Sequence, residues 1–448
     1  MLTARAAAAL LANASSVDAL APLAAALGFE PPSTPLDAPT RAALGVPDAA
    51  SDVRVARGPG DLRALLLDLP TNPAANGSAL RDAVARAATR LAARSPHLLW
   101  LLAATEQHGP HTLLATWSPD GPRPRVAALV VDRRHVVDSD AETLRSLAAA
   151  APGPSASPDA GADILTHARW LDLLGRDSLS RAFYRALERV VATLADSAPH
   201  RLALPDRREL ALLYVSRLLF LAFLEAKGWL DGDRAFLANA FASATGRGRA
   251  FHRHVLLPLF FGTLNTPPNA RADTARAFGH IPFLNGGLFA RTSLERHARD
   301  ALFPDDALAL VFGDLLTRYR FTAREDTSAW SEAAIDPEML GKAFESLMAA
   351  TDRRASGAFY TPHALVEEVT AAALRHALHD AAPPDTVAAA LAGHPPTDAR
   401  TLDALRARAT SLRILDPACG SGAFLVHALE RLAALARTGA ASRSSGSR

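Results

Sequence analysis

The sequence predicts a mainly α protein with α/β parts: a mixed α/β domain first, a helical domain in the middle, and the opening of a parallel-sheet unit near the end. Three observations carry this. Three apolar runs between His97 and Val131 are separated by turns rich in Gly and Pro, as hairpins require. From Ile164 to about Ala350 apolar residues recur at helical spacing, with Phe183, Leu187, Val190 and Leu194 on one face. Leu412 to Leu425 passes from an apolar run through a glycine turn into another helical pattern.

Composition limits the reading further. The 448 residues suffice for two or three domains, and 49% hydrophobic with 6% aromatic residues reads as a soluble, helix-rich protein. Arginine supplies nearly all the positive charge, because Lys227 and Lys342 are the only lysines, and the net charge of +2 says little about nucleic acid. A single cysteine, Cys419, excludes a disulfide framework and fits a reducing cytoplasm; its expected role is a small apolar filler under a loop. No signal-peptide pattern opens the chain. The most apolar helix, Leu210 to Phe223, is interrupted by Arg217 and is shorter than the roughly 18 residues a membrane span needs, so it reads as core. Arg217 is expected to be an internal salt-bridge partner.

Residues 1–150 form the first domain. Val53-Arg54-Val55 is a short strand candidate, Ala79 to Ala93 a helix, and His97 to Ala103, Thr112 to Trp117 and Arg125 to Val131 are strands ahead of a helix from Ala141. Helix, three strands, helix is also the core order of many Mg²⁺-dependent restriction nucleases. The residues argue against cleavage: Pro119-Asp120 is present, but Asp132 is followed by Arg133 and Arg134 where an acid-x-Lys is needed, and the domain has no lysine. An accessory or target-contacting fold, a degenerate relative of the nuclease core, is expected instead, and no metal ligand is assigned. Glu225-Ala226-Lys227 matches acid-x-Lys literally but lies in a helical stretch.

Residues 151–163, with Pro152, Pro154 and Pro158 among small residues, read as a linker, and 164–350 as the helical domain, with Gly228 capping the helix that ends near Lys227. In the next segment, 351–438, Leu412, Ile414 and Leu415 are a candidate buried strand ending in Asp416. Gly420-Ser421-Gly422 is the turn, and Ala423 to Ala436 the following helix. Glycines admit a ligand close to the backbone, and a helix N-terminus offers unpaired N–H groups. Asp416 repels a pyrophosphate but suits an ammonium group. The loop also lacks the Lys-Ser/Thr of a P-loop and the third glycine of the dinucleotide fingerprint. S-adenosyl-L-methionine, with its amino acid end and sulfonium, fits best.

The nine residues Asp416-Pro417-Ala418-Cys419-Gly420-Ser421-Gly422-Ala423-Phe424 resemble motif I of N6-adenine DNA methyltransferases of restriction-modification and phage-defence systems, large single-chain type IIG-like enzymes included. Gly357-Ala358-Phe359-Tyr360-Thr361-Pro362, followed by a helix from about Ala364 to His379, resembles their motif X. The resemblance implies a Rossmann-like AdoMet-dependent methyltransferase domain. Its cofactor residues would be Tyr360, Thr361 and Pro362 flanking the ligand, Asp416 at the methionine amino end, Pro417, Ala418, Cys419, Gly420 and Gly422 in the loop, and Phe424 beneath it. Thr361 could equally cap its helix. The phrases Arg217 to Leu230, Ile281 to Phe289 and Ile335 to Glu345 resemble the helical region ahead of the catalytic domain in such enzymes; locally they read as structure, with Asn285-Gly286-Gly287 a turn and Asp336 an N-cap.

The pattern stops after motif I. Only 26 residues follow Gly422, and 439–448 read as a frayed tail. The family's Asn/Asp-Pro-Pro-Tyr/Phe tetrad, which holds a flipped adenine, is absent: Asn265-Thr266-Pro267-Pro268 is interrupted, and Asn72-Pro73-Ala74 lacks the second proline and the ring. The expectation is therefore the N-terminal part of an adenine methylase acting on DNA, truncated, split or completed by a second polypeptide, with no membrane partner and no catalytic residue of its own. The alternatives are a non-catalytic module that binds DNA or a partner, and an enzyme of the same descent that methylates protein glutamine or RNA.

Overall fold

The computed structural model describes residues 2–46, 50–70, 78–118, 124–151, 161–284, 287–298, 303–322, 330–337, 339–341, 361, 363–392, 394, 396–417, 419 and 422–437. The chain forms two compact units, Met1–Ala343 and Phe344–Arg448.

The first unit is built on one six-stranded mixed sheet whose strands lie in sequence order: β1 (Val53–Arg57), β2 (Leu62–Pro70), β3 (Leu99–Gln107), β4 (His111–Trp117), β5 (Val126–Asp132) and β6 (Trp330–Glu332). β1 and β2 make an antiparallel hairpin, and β3 to β5 an antiparallel meander; β2 runs parallel to β3 and β5 parallel to β6. Helices cover both faces, so β4 and β5 are buried at every position and show no alternation of apolar and polar residues. On one face lies α4 (Ser78–Arg94), which sends Leu80, Val84, Ala87 and Leu91 onto Leu65, Leu67, Leu102, Leu113 and Val130. On the other lie α1 (Ala4–Asn13), α2 (Val17–Ala26), α5 (Asp138–Ala150) and α6 (Ala162–Leu174), around Leu66, Leu101, Leu114 and Leu129. A short helix, α3 (Ala38–Ala43), precedes β1.

Trp170 of α6 sits in the same core as the sheet and donates its indole N–H to the Leu147 carbonyl at 3.0 Å. The helix that begins at the end of the proline-rich stretch thus packs on the N-terminal sheet. Two strands were missed in the sequence. Leu62 to Leu69 is leucine-rich and carries no alternation because it is buried on both faces; β6 is three residues long and is a strand only because β5 offers it an edge.

Beyond the sheet, α7 (Arg176–Ser197) packs along α8 (Leu204–Ala226), and the face expected from Phe183, Leu187, Val190 and Leu194 is buried. The described residues of this part also form α9 (Phe236–Gly246), three π-helical stretches (His252–Leu256, Pro258–Leu264 and Phe312–Leu316), α10 (Asp273–Arg276), α11 (Ser293–His297) and α12 (Asp305–Val311). Asp336 accepts the Met339 N–H at 2.8 Å, the N-cap contact its position suggested. Asn285 and Gly286 of the expected turn lie outside the described residues. No helix among the described residues is long and apolar enough to cross a membrane.

The second unit contains α13 (His363–Ala377), α14 (Pro384–Leu391), α15 (Ala399–Ser411) and α16 (Ala423–Arg437), packed around Leu374, Leu378, Val387, Leu391, Leu405 and Leu435. The expected strand before the glycine turn is not formed: residues 412–416 lack strand pairing, and Ile414 and Leu415 are 47% and 87% exposed. The cause is physical. A lone extended run has no partner for its backbone N–H and C=O groups, and among the described residues of this unit no strand lies beside it.

Candidate cofactor site

The residues singled out in the sequence fall at the N-termini of α13 and α16. Thr361 lies two residues before the first residue of α13, while Tyr360 and Pro362 lie outside the described residues. Asp416 and Pro417 end the extended run, and Ala418 and Gly420 also lie outside the described residues.

Gly422 has the geometry its sequence context demanded. Its φ is +79°, in the left-handed region, and its N–H donates to the Cys419 carbonyl at 2.7 Å, closing the turn that leads into α16. The Val426 N–H then bonds the Gly422 carbonyl at 2.8 Å, the first helical bond of α16. The first N–H groups of a helix have no intrahelical partner, which suits an anionic or polar ligand group. Asp416 is half-buried and Phe424 half-buried on the first turn of the helix. Cys419 is exposed, which corrects the expectation of a buried filler; the run that would have covered it is itself unpaired.

The two helices that carry these N-termini are tied together. Arg431 of α16 donates to Glu367 of α13 at 2.6 Å and to His427 one turn back at 3.2 Å. The helices that follow the two segments singled out in the sequence thus form one packed pair. An acid, a left-handed glycine with no Cβ and a helix start close together in the chain suit a ligand with an amino acid moiety, so the residues present fit S-adenosylmethionine.

In the first unit, four neighbouring strands place one titratable residue each on the α4-covered face, Glu106, His111 and Asp132 level with one another at one end and Glu332 opposite the middle of β5. Glu106 follows Ala104 by two residues, His111 precedes Leu113 by two, Asp132 follows Val130 by two, and Glu332 pairs with Ala128. Glu106 meets the His111 ring at 2.9 Å, and Arg81 of α4 donates to Glu332 at 3.1 Å. Sequence reading missed this cluster because its members lie as far apart as Arg81 and Glu332; only the register of the sheet unites them. Among the described residues no group of three or more His, Cys, Asp or Glu could hold a metal ion. Asp120 of the Pro-Asp pair lies outside the described residues.

Comparison with known proteins gives the class of the C-terminal segment: residues 394–444 match the family described as "MmeI, DNA-methyltransferase domain". Residues 195–320 match a domain of unknown function, DUF7814. The chain is also similar to a protein of Methanocaldococcus jannaschii described as "Putative type II restriction enzyme and methyltransferase", at 28% identity over 255 residues. That match covers 52% of this chain and 21% of the relative, so the chain spans about a fifth of the length of the curated relative it matches. No solved structure matches. The resemblance to DNA methyltransferases of restriction-modification type, read from Asp416 to Phe424, is thereby supported from two directions.

Proposed function

We propose that the chain carries the cofactor-binding part of an AdoMet-dependent, adenine-specific DNA methyltransferase of a restriction-modification or phage-defence system. The observation that carries this is the turn ending in left-handed Gly422, set between Asp416 and the N-terminus of α16 within the segment that matches a DNA-methyltransferase family.

S-adenosylmethionine would supply an electrophilic methyl group on its sulfonium. Asp416 would accept hydrogen bonds from the ligand's ammonium, and the carboxylate end would meet the first N–H groups of α16 or the Thr361 hydroxyl. Gly420 and Gly422 would let the backbone approach without side chains, and Phe424, with Tyr360 to Pro362, would flank the pocket. The tetrad that holds a target adenine does not occur in these 448 residues. Methyl transfer would then need that tetrad from elsewhere, and the 448-residue chain alone would bind cofactor without methylating DNA.

Calorimetric titration of the chain with AdoMet tests this. Saturable binding that Asp416→Ala weakens about tenfold or more is expected, the loss of about 1.4 kcal/mol that one charge-assisted contact supplies. A second reading, a module that binds DNA or a partner and has lost the cofactor, is favoured by the unpaired, exposed Ile414 and Leu415. No binding at millimolar AdoMet would establish that reading instead. Transfer of radiolabel from AdoMet to DNA by the pure chain would refute the division of labour.

A further inference from the structure

Glu225 and Ala226 end α8 in helical conformation, as expected, and Lys227 is its C-cap, at a cavity of about 420 Å³ inside the first unit. His111, Asp132 and Glu332 line its sheet side, and Trp229 and Phe321 also border it. Four cations face it, Arg81, Lys227, Arg234 and Arg320, against the two carboxylates Asp132 and Glu332. Two of these cations are fixed in orientation by buried acids: Arg81 by Glu332, and Arg320 by Asp140 through a pair of guanidinium hydrogen bonds.

Lys227 differs from them. It is exposed, its ammonium lies 5.0 Å from the centroid of the Trp229 ring, and among the described residues no carboxylate pairs with it. Gly228, at φ +74°, turns the chain sharply, and the Trp229 N–H bonds back to the Leu224 carbonyl at 2.9 Å. The turn therefore fixes a lysine and an indole beside each other at the cavity, and the indole is 52% exposed. Both residues fall within the stretch matched to a domain of unknown function.

An ammonium with no carboxylate partner among the described residues, beside an exposed aromatic ring, suits a ligand that joins a phosphate to a flat ring. A cavity of this size accommodates one such unit. We propose that the cavity binds a nucleotide of a single DNA strand, with its phosphate met by Lys227 and its base stacked on Trp229. The site belongs to the first unit and the cofactor loop to the second, and nucleotide binding there does not depend on methyl transfer.

Fluorescence anisotropy of a labelled single-stranded oligodeoxynucleotide with the full chain, titrated with salt and without AdoMet, tests the proposal. Lys227→Gln should weaken binding about three- to tenfold and lower the log–log salt slope by about 0.7, the value for one single-strand phosphate contact. Trp229→Ala should weaken binding about five- to a hundredfold and leave the slope unchanged, because stacking releases no counterions. Both residues are exposed, so neither change threatens the fold, and Arg145→Gln on α5 serves as a distant control. Wild-type affinity and slope in both variants would overturn the proposal, as would failure of the wild type to bind the oligonucleotide. If deoxyadenosine monophosphate competes as tightly as the oligonucleotide, the site belongs to a free nucleotide, and the assignment to a DNA strand fails.

Discussion

Arg217 and Glu295 form a two-armed ion pair in the interior of the first unit, at 2.6 and 3.0 Å, with the arginine side chain wholly buried. The guanidinium also donates to the carbonyls of Leu288 at 2.7 Å and Ala290 at 3.0 Å, and lies near the rings of Tyr214, Phe260 and Phe261. Burial alone would push the Glu295 carboxyl up, but hydrogen bonds from Arg217 and the Thr292 N–H outweigh it and hold the carboxyl below its ordinary value. A charge on the apolar helix α8 is thus tolerated because one arginine satisfies a carboxylate and two loop carbonyls together.

Arg217→Met should lower unfolding free energy by about 3–5 kcal/mol, since it strands a buried carboxylate. Adding Glu295→Leu should recover part of that loss. Urea unfolding of the two single variants and the double variant measures the coupling, and strictly additive losses would contradict it.

Two buried histidines make the protein sensitive to acid. Burial pushes His252 and His167 each down to about 4. The Phe303 N–H donates to His252 Nδ1 at 2.7 Å, so the neutral ring carries its proton on Nε2 and offers it to the Tyr214 hydroxyl at 2.9 Å. Between the unfolded value near 6.5 and the folded value near 4, the unfolded chain binds protons that the native one does not. Stability is therefore present above pH 6.5 and lost as pH falls, by about 1.4 kcal/mol per pH unit for each histidine. Urea midpoints at pH 7 and pH 5 should show the fall, and His167→Gln should remove part of it.

Glu225 acts in the opposite direction. Burial pushes its carboxyl up to about 8, while the Leu237 N–H it accepts at 2.9 Å only partly offsets this. Between about pH 4.5 and 8 the native state keeps a proton that the unfolded chain loses, so stability falls as pH rises, again by about 1.4 kcal/mol per unit. Glu225→Gln should be more stable than the wild type at pH 7.5, with the gap closing near pH 4.5; unchanged melting at both pH values would contradict the assignment.

At the cofactor loop, Gly422→Val forces a β-branched residue into left-handed backbone. Weaker AdoMet binding is expected in calorimetry, together with a stability loss of about 1–2 kcal/mol in the second unit. Full affinity in this variant would show that the turn does not contact the cofactor.

Local rules made much of this legible. The helices after motif X and motif I, the face of α7, the left-handed Gly228 and Gly422, the Asp336 cap and the meander from β3 to β5 all follow from residue spacing and turn chemistry within a few positions. Leu62 to Leu69 was not legible as a strand, because a segment buried on both faces loses the alternation that marks one. Ile414 and Leu415 look like a buried strand in sequence, yet are exposed, because hydrophobicity states a preference for burial but supplies no neighbour to bury against.

By itself, the sequence determined the chemistry of the glycine turn: a carboxylate, small residues and a helix start within nine positions, and with them the resemblance to a DNA methyltransferase. Tertiary structure alone decided what distant residues become. It put Arg217 on Glu295 and brought Arg81 to Glu332, and it turned an acid-x-Lys triplet into a helix end at a cation-lined cavity. Each of these outcomes depends on strand register and helix packing, which join residues that no local pattern connects.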